Sequence, residues 1–213
     1  MKRYVLLDHD GVLVDTEHWY YEAGAHALAE AGVVLDRARY LSDMAQGLGT
    51  WDQARAAGVD EQTIDRLRAV RDACYQEHLR TQTIEIEGVV DVLAELSQHA
   101  RLAVVTSCKR ADFDLIHAER RIRGFLDFVL VRQDYERAKP HPEPYLVGLR
   151  RFGAARSETL VVEDSERGLR SAVAAGIDCA VVDYHFTGGG DFSQARYRIG
   201  TLSEVVDIVR GAG

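Results

Sequence analysis

Cysteine, proline and long apolar runs are scarce in this sequence, and each scarcity excludes a class of protein. Only three cysteines occur among 213 residues, with no CxxC, HExxH or zinc-finger spacing. We interpret Cys74, Cys108 and Cys179 as free thiols and expect a reducing, cytoplasmic compartment. No apolar stretch approaches a membrane span, which needs about 20 residues, and no signal-peptide pattern is present, so we expect no membrane partner.

The charge balance is acidic, with 34 Asp and Glu against 26 Lys and Arg and a formal net charge of −8. The basic residues form no cluster of the kind that binds a nucleic-acid backbone, so we expect no nucleic-acid partner. Hydrophobic residues make up 46% of the chain, enough for a substantial core. Composition therefore favours a globular protein with one large domain, or a core with an insertion.

Short apolar runs recur along the chain without polar alternation, which is the pattern of strands buried on both faces. From residue 88 onward, these runs alternate with segments of helical periodicity, and the alternation predicts a parallel sheet with crossover helices. The predicted strands lie at residues 3–7, 102–106, 128–131, 160–162 and 179–182.

The stretch between the first two predicted strands departs from this alternation. Residues 15–85 contain helical patterns but no convincing strand, and the connection is far longer than an ordinary crossover. We therefore interpret residues 15–85 as an inserted all-helical cap domain. Residues 1–14 and 86–213 are expected to form a Rossmann-like α/β core, in which glycines 188–190 make a flexible surface loop.

Reactive side chains fall at the predicted carboxyl ends of strands, where open α/β sheets bind their ligands. We therefore expect carboxylates, hydroxyls and one ammonium group from four distant segments to meet in one cleft. These residues are Asp8 and Asp10, Thr106 and Ser107, Lys139, and Glu163 and Asp164.

The segment that carries Lys139 also holds all three prolines of the chain, Pro140, Pro142 and Pro144. Pro140 favours an extended Lys139, and Pro142 or Pro144 suits the first turn of a helix. The sequence thus predicts a lysine held on a stiffened junction before a helix. The alternative interpretation is a rigid loop with a solvent-exposed lysine.

This set of residues has the chemistry needed for phosphoryl transfer. Asp8 and Asp10, two residues apart in extended chain, project to the same side. The carboxylates of Asp8, Glu163 and Asp164 would repel one another strongly without a cation, and an all-oxygen ligand set suits Mg²⁺. Lys139 would add positive charge where the transition state becomes negative.

Four motifs in this order resemble those of the haloacid dehalogenase (HAD) superfamily of phosphohydrolases. One DxDG fragment would be weak evidence, because calcium-binding loops contain similar fragments, but four ordered motifs at strand ends are specific. The inserted segment resembles the branch with a helical C1-type cap, which includes phosphoglycolate phosphatases, hexose-phosphate phosphatases and β-phosphoglucomutase-like enzymes. The motifs are DHDGVLVD at 8–15, VVTS at 104–107, the lysine of AKPHPEPY at 139, and VVEDSERGLRSAVAAG at 161–176.

The resemblance implies a role for each matching residue. Asp8 would be the nucleophile that forms an aspartyl-phosphate, and Asp10 would protonate the leaving group and then activate water. The implied phosphate-binding residues are Thr106, Ser107 and Lys139. The implied Mg²⁺ ligands are Asp8, the backbone carbonyl of Asp10, Asp164 and, directly or through water, Glu163.

The second aspartate distinguishes between branches of the family, since haloacid dehalogenases of this fold attack carbon without a metal and lack it. We therefore expect a Mg²⁺-dependent phosphatase for a small phosphorylated metabolite, with a phosphosugar as the favoured class. A β-phosphoglucomutase-like mutase is the alternative. A second alternative is a non-hydrolytic, receiver-type phosphoacceptor domain, although its acidic residues follow a different order and it lacks a cap.

Three further residues are candidates for substrate contact, namely Glu17, Gln46 and Arg110. Each also has a purely structural interpretation: a charge in a first helical turn, a helix connector and a solvated helix start. A helical cap that closes over the site favours a small metabolite as the partner. For the chain itself we expect a monomer or a weak dimer.

Two residues near the motifs are predicted to lie outside the chemistry or to modify it. If Asp8 and Asp10 face the cleft, alternation turns His9 away from it, which predicts a packed or hydrogen-bonded core histidine. Cys108 lies two residues beyond Thr106, so we predict that its oxidation inhibits the protein.

Overall fold

The described residues of the computed structural model, 1–187 and 189–211, contain six strands. These are β1 (Tyr4–Leu7), β2 (Arg101–Val105), β3 (Phe128–Leu130), β4 (Thr159–Glu163), β5 (Asp178–Val182) and β6 (Tyr197–Ile199). They form one parallel sheet in the order β3-β2-β1-β4-β5-β6. The first five confirm the predicted strands, whereas β6 is unmarked in the sequence because only one of its three residues is buried.

Nine α-helices accompany the sheet in the described part of the chain. They are α1 (Glu17–Ala29), α2 (Arg37–Ala45), α3 (Thr50–Ala56), α4 (Glu61–Thr81), α5 (Val89–Leu96), α6 (Arg110–Ile116), α7 (Glu143–Phe152), α8 (Glu166–Ala174) and α9 (Glu204–Arg210). The first four follow one another between β1 and β2, which confirms the predicted α/β core with an inserted all-helical cap. A bridge between Val14 and Glu85 joins the chain where it leaves and re-enters the core. The bounds 15–85 stay a prediction.

The cap helices form because polar residues start them and apolar residues line one face. Asp36 and Asp60 each accept a hydrogen bond from the backbone N–H three residues later, at 2.7 and 2.9 Å, and so begin α2 and α4. Ile64 and Leu67 of α4 are fully buried and pack with Leu28 of α1 in a cap core. The cap therefore has an apolar interior, which Tyr184 and Phe186 from the loop after β5 also join.

The sheet is covered on both faces, which fixes the orientation of its central strand. Val5 and Leu7 of β1 pack into the cluster on one face, and Leu6 packs on the other face with Tyr145 of α7 and Leu169 of α8. Alternate side chains of a strand point to opposite faces, so β1 is anchored from both sides. Its carboxyl end then carries the acidic pair to one edge of the sheet.

Two sequence predictions concern features away from this edge. Within the described residues, no helix has the combination of length and hydrophobicity that a membrane crossing requires. The predicted glycine loop at 188–190 includes Gly188, which lies outside the described residues.

Candidate active site

Three carboxylates from two neighbouring strands meet at the carboxyl edge of the sheet. Asp8 follows β1, Glu163 ends β4, and Asp164 comes next in the chain. One oxygen from each lies within 4.8 Å of the others, and all three residues are buried. Because β1 and β4 pair directly in the sheet, the arrangement expected from the ends of parallel strands is present.

Lys139 is the ammonium group within this acidic cluster. Its Nζ donates to Asp8 Oδ1 at 2.7 Å, to Glu163 Oε1 at 2.7 Å and to the carbonyl of Val105 at 2.9 Å. The residue is 4% exposed, so it is not the solvent-exposed lysine of the alternative interpretation. Burial lowers the pKa of Lys139, but the charges of Asp8 and Glu163 outweigh it and raise the pKa above its ordinary value.

Several neighbouring groups fix the Glu163 side chain within the cluster. The hydroxyl of Tyr145 donates to its Oε1 at 2.5 Å, and the hydroxyl of Ser165 donates to its Oε2 at 3.0 Å. Gly168 of α8 lies against the carboxylate so closely that a Cβ there would be 1.8 Å from Glu163 Cδ. Glu163 therefore orients Lys139, and its side chain is fully buried.

The acidic cluster holds more negative charge than Lys139 can balance. Burial and then the charge of Glu163 raise the pKa of Asp8 to about 6. The same two causes raise the pKa of Asp164 well above its ordinary value. Three buried carboxylates around one ammonium group thus disfavour full ionisation unless another cation is present, and an all-oxygen set is the donor chemistry that Mg²⁺ prefers. The residues fit the predicted metal.

Asp10 lies beside the cluster and is oriented by hydroxyl groups. Thr16 donates to its Oδ1 at 2.5 Å and Thr106 donates to its Oδ2 at 3.3 Å. Burial raises the pKa of Asp10, but the adjacent His9 ring and these two hydrogen bonds lower it by more, so the pKa lies below its ordinary value. Asp10 is therefore a fixed carboxylate in the free site.

The turn after Asp10 brings the first motif against the fourth. Gly11 adopts φ 78°, and a Cβ there would lie 2.4 Å from Asp164 Oδ2, so the turn requires glycine. The hydroxyl of Thr187 donates to the same Oδ2 at 2.9 Å. Asp164 is thus held between the turn and the loop that follows β5.

A cavity of about 300 Å³ opens over Asp8, Asp10, Lys139 and Asp164. Its roof comes from the cap, including the connector 47–49 between α2 and α3. A Cβ on Gly47 would lie 2.8 Å from Cδ of Pro140, which follows Lys139, so the connector approaches the core closely. The cap therefore encloses the reactive edge, as a site for a small ligand requires.

The remaining predicted site residues divide into those that line the cavity and those that do not. Thr106 is fully buried and bonded to Asp10, whereas Ser107 and Glu17 are on the cavity wall. Gln46 and Arg110 are not on this wall, and their contact with substrate stays a prediction. Gln46 ends α2 and its side chain donates back to the carbonyl of residue 42, beside a neighbouring crevice. Arg110 is directed outward by its ion pair with the carboxylate of residue 134 at 3.1 Å.

The structure also adds wall residues that the sequence analysis does not single out. Arg71 of α4 and Lys109 both line the cavity and share the carboxylate of Asp72, at 2.8 and 2.5 Å. Tyr40 of α2 and Arg167 of α8 line it as well. A signal for Arg71 exists in the sequence, since it lies at helical spacing from the buried apolar residues of α4, where a charge needs a partner.

His9 is fully buried, and its Nε2 lies 2.8 Å from Nε2 of His117, so the predicted hydrogen-bonded core histidine is confirmed. Its Nδ1 lies 3.3 Å from Asp10 Oδ2.

Cys108 is on the cavity wall, and burial raises the pKa of its thiol well above the ordinary value. Because the thiolate is the oxidisable form, this environment opposes the predicted oxidation, which stays untested.

A parallel α/β core with a helical insertion after its first strand, and with carboxylates and a lysine at the covered edge, defines a capped α/β enzyme. The chain belongs to the haloacid dehalogenase-like hydrolase family, whose family model matches residues 5–182. Membership in a hydrolase family over most of the chain contradicts the receiver-type alternative. It confirms the resemblance that the four motifs carry.

Similar proteins include some that are named as phosphatases. Protein CbbY (plasmid) of Cupriavidus necator is 30% identical over 209 residues, covering 90% of this chain and 82% of the relative. Fructose-1-phosphate phosphatase YqaB of Escherichia coli is 26% identical over 186 residues, covering 84% and 95%. A crystal structure of mutant CbbY from Rhodobacter sphaeroides with xylulose-(1,5)bisphosphate has a TM-score of 0.82 at 23% identity, covering 96% of both chains. The predicted enzyme class, a HAD-like phosphoric monoester hydrolase, is confirmed.

Proposed function

We propose that the protein is a Mg²⁺-dependent phosphatase that hydrolyses a small phosphorylated metabolite, with a phosphosugar as the favoured class, through an aspartyl-phosphate on Asp8. The observation that carries the proposal is the buried contact between Lys139 and Asp8 in an acidic cluster on the floor of a capped cavity. The relatives support the substrate class, since one is named for fructose-1-phosphate and another was crystallised with a sugar bisphosphate.

The donor set indicates which residues would hold the metal. Asp8, Asp164 and the backbone carbonyl of Asp10 would bind Mg²⁺, with Glu163 close by or acting through water. When bound, Mg²⁺ balances the carboxylate charge and polarises the phosphoryl oxygens. Glu163 already bonds to Lys139 and Tyr145, so its main contribution in the structure is to fix the ammonium group.

The protein groups then divide the reaction between them. Asp8, oriented by Lys139, attacks phosphorus and forms an aspartyl-phosphate as the bond between phosphorus and the ester oxygen breaks. Asp10 gives a proton to the departing oxygen and later takes one from the water that attacks the aspartyl-phosphate, which releases inorganic phosphate and regenerates Asp8. The His9 ring and the hydrogen bonds to Asp10 lower its pKa in the free site, and the negative charge of a bound phosphate group shifts that pKa upward, toward the protonated form that the first step needs.

The nucleophile is tested with Asp8→Asn. This change keeps the shape of the side chain but removes its nucleophilic charge, so we expect no detectable hydrolysis of p-nitrophenyl phosphate in Mg²⁺ and an unchanged circular dichroism spectrum. The matched control is Asp65→Asn, on the exposed side of α4, which should retain full activity. Substantial residual hydrolysis by the Asp8 variant would rule out the assignment.

One observation keeps the mutase alternative open. A phosphosugar mutase needs cations in the cap for a second phosphate, and Arg71 of the cap lines the cavity. Arg55, the cation nearest the connector in the sequence, is instead exposed and paired with Glu61 at 2.6 Å. Testing isomerisation of β-glucose-1-phosphate in parallel with phosphate release decides between the two activities.

The cytoplasmic location and the monomeric or weakly dimeric state stay predictions.

A further inference from the structure

His9 is a polar residue packed into an apolar part of the core. Val5 and Leu7 of β1 belong to one apolar cluster with Phe113 of α6. His9 is fully buried beside the same Phe113, with the two ring centroids 5.1 Å apart. Burying an imidazole costs free energy unless its nitrogens find partners, whereas an apolar side chain would pack here without that cost. The partners of its two ring nitrogens therefore indicate what His9 does.

The first of these partners is His117, which directly follows α6. Nε2 of His9 and Nε2 of His117 lie 2.8 Å apart, so one nitrogen must carry a proton and the other a lone pair. His117 is 2% exposed, and its ring packs on Phe113 with the centroids 4.4 Å apart. Burial and the neighbouring His9 lower the pKa of His117 to about 3, so near neutral pH this ring carries a single proton.

The second partner is the carboxylate of Asp10. Nδ1 of His9 lies 3.3 Å from Oδ2 of Asp10. The distance suits a hydrogen bond but the direction does not, since this buried Nδ1 has no aligned partner among the described residues. Rotation of the carboxylate would align the two groups, and catalytic hydrogen bonds commonly tighten only when substrate is bound.

The two contacts of His9 are linked, because a neutral imidazole carries its proton on one nitrogen only. If His117 donates from Nε2, His9 accepts at Nε2 and keeps its own proton on Nδ1, toward Asp10. The reverse arrangement would turn a lone pair of His9 toward the carboxylate and repel it. The pair therefore has a preferred direction, from His117 through His9 to Asp10.

We propose that His117 and His9 are positioning residues for the acid–base carboxylate: His117 fixes the tautomer and the ring orientation of His9, and Nδ1–H of His9 orients Asp10. The inference rests on the phosphatase function proposed above, in which Asp10 gives a proton to the departing oxygen. Thr16 and Thr106 donate to the same carboxylate, so the histidine pair adds support from the core.

The test compares two esters that differ in their need for a proton. The departing oxygen of an alkyl ester needs the proton of Asp10, whereas p-nitrophenolate leaves readily as an anion. The value of kcat/KM reports the first phosphoryl transfer, in which that oxygen leaves. In His117→Leu we expect kcat/KM to fall about 10-fold for the best-hydrolysed sugar or glycerol phosphate and less than about 3-fold for p-nitrophenyl phosphate, because the acid is present but misplaced.

Three further variants separate positioning from packing. His117→Gln keeps an N–H donor near the position of Nε2 and should retain most of the alkyl-ester activity. The double variant His9→Leu/His117→Leu should lose no more than His9→Leu alone, since His117 acts through His9. Phe113→Leu is the matched control, because it alters the packing of both rings but keeps their nitrogens, and it should lower Tm while changing both esters equally.

Nitrogen-15 NMR of the histidine rings gives a readout without turnover. We expect the protons on Nδ1 of His9 and on Nε2 of His117, and in His117→Leu a loss of the preference for Nδ1 in His9. The unmodified protein already provides the first of these results. The proposal therefore stays testable if a leucine variant fails to fold.

Three results would overturn the inference while leaving the phosphatase function intact. One is a bare Nδ1 of His9 in the unmodified protein. Another is an equal loss for both esters in His117→Leu, which would make the pair structural. The third is a His117→Gln variant as impaired as His117→Leu. Failure of the proposed function looks different, since p-nitrophenyl phosphate hydrolysis would then survive Asp8→Asn, or Asp10→Asn would lower both esters equally.

Discussion

Gly168→Ala perturbs the packing of helix α8 against Glu163 without touching the cavity directly. The new Cβ would be 1.8 Å from Cδ and from Oε1 of Glu163, whereas ordinary contact begins at 3.4 Å. Either α8 or the carboxylate must therefore move by about 1.6 Å, in a region where interiors are close-packed. Glu163 has little freedom to move, because Lys139 and Tyr145 bond to it at 2.7 and 2.5 Å.

The expected cost combines two effects. Overpacking a filled interior costs about 1–3 kcal/mol, and weakening a buried hydrogen bond to a carboxylate adds about 1 kcal/mol. For a chain of this size each kcal/mol lowers Tm by about 2–4 °C, so we expect a decrease of about 5–15 °C. Activity should fall at least about 10-fold, because displacing Glu163 misdirects Lys139, which orients Asp8.

The assay is a pair of measurements, thermal unfolding by circular dichroism and steady-state hydrolysis of p-nitrophenyl phosphate. Gly124→Ala is the matched control, since none of the described atoms outside its immediate neighbours lies within 4 Å of its Cβ position. That variant should unfold within about 1 kcal/mol of the unmodified protein. A Gly168 variant with unchanged Tm and full activity would refute the close contact between α8 and Glu163.

Three further predictions concern buried groups of the core. Burial and the neighbouring His9 lower the pKa of His117 to about 3, so below pH 6.5 the unfolded chain binds a proton that the folded chain does not. The free energy of unfolding should therefore fall as pH drops below 6.5. In urea unfolding at pH 5.5, His117→Leu should remove about 1 kcal/mol of this pH-dependent loss of stability. A His117→Leu variant with the same pH dependence as the unmodified protein would contradict the prediction. Mg²⁺ should raise Tm in the unmodified protein and much less in Asp164→Asn, and equal shifts would argue against a metal at this carboxylate. Tyr145→Phe should lower the unfolding free energy by about 1–3 kcal/mol, because Glu163 loses a buried donor, and a loss below about 0.5 kcal/mol would show that the hydroxyl does not matter.

The parts of the site that are predictable from the sequence lie at the ends of strands. Asp8 and Asp164 follow apolar runs that read as buried strands, and the carboxyl ends of parallel strands share one edge. The prolines after Lys139 mark its junction, and α7 begins directly after Pro142. These inferences depend on local patterns and on one general rule of topology, so no contact had to be known.

The residues that escaped the sequence analysis depend on how the cap sits on the core. Arg167 lies inside the fourth motif, but whether a residue of a first helical turn faces a cavity depends on what packs opposite. Gln46 and Arg110 show the same limit, since each is close in sequence to wall residues and yet is turned away by a local hydrogen bond or ion pair. Spacing along a chain does not fix such orientations.

The sequence by itself determined the alternation of the first five strands with helices and the presence of the inserted cap, and it predicted the reacting groups, because periodicity and strand-end position are local properties. Only the tertiary structure decided that Lys139 is buried between Asp8 and Glu163. It also decided that Arg167 and Glu17 line one cavity without pairing. Both relations depend on side-chain packing between segments that are far apart in the chain, and a local sequence pattern does not contain that information.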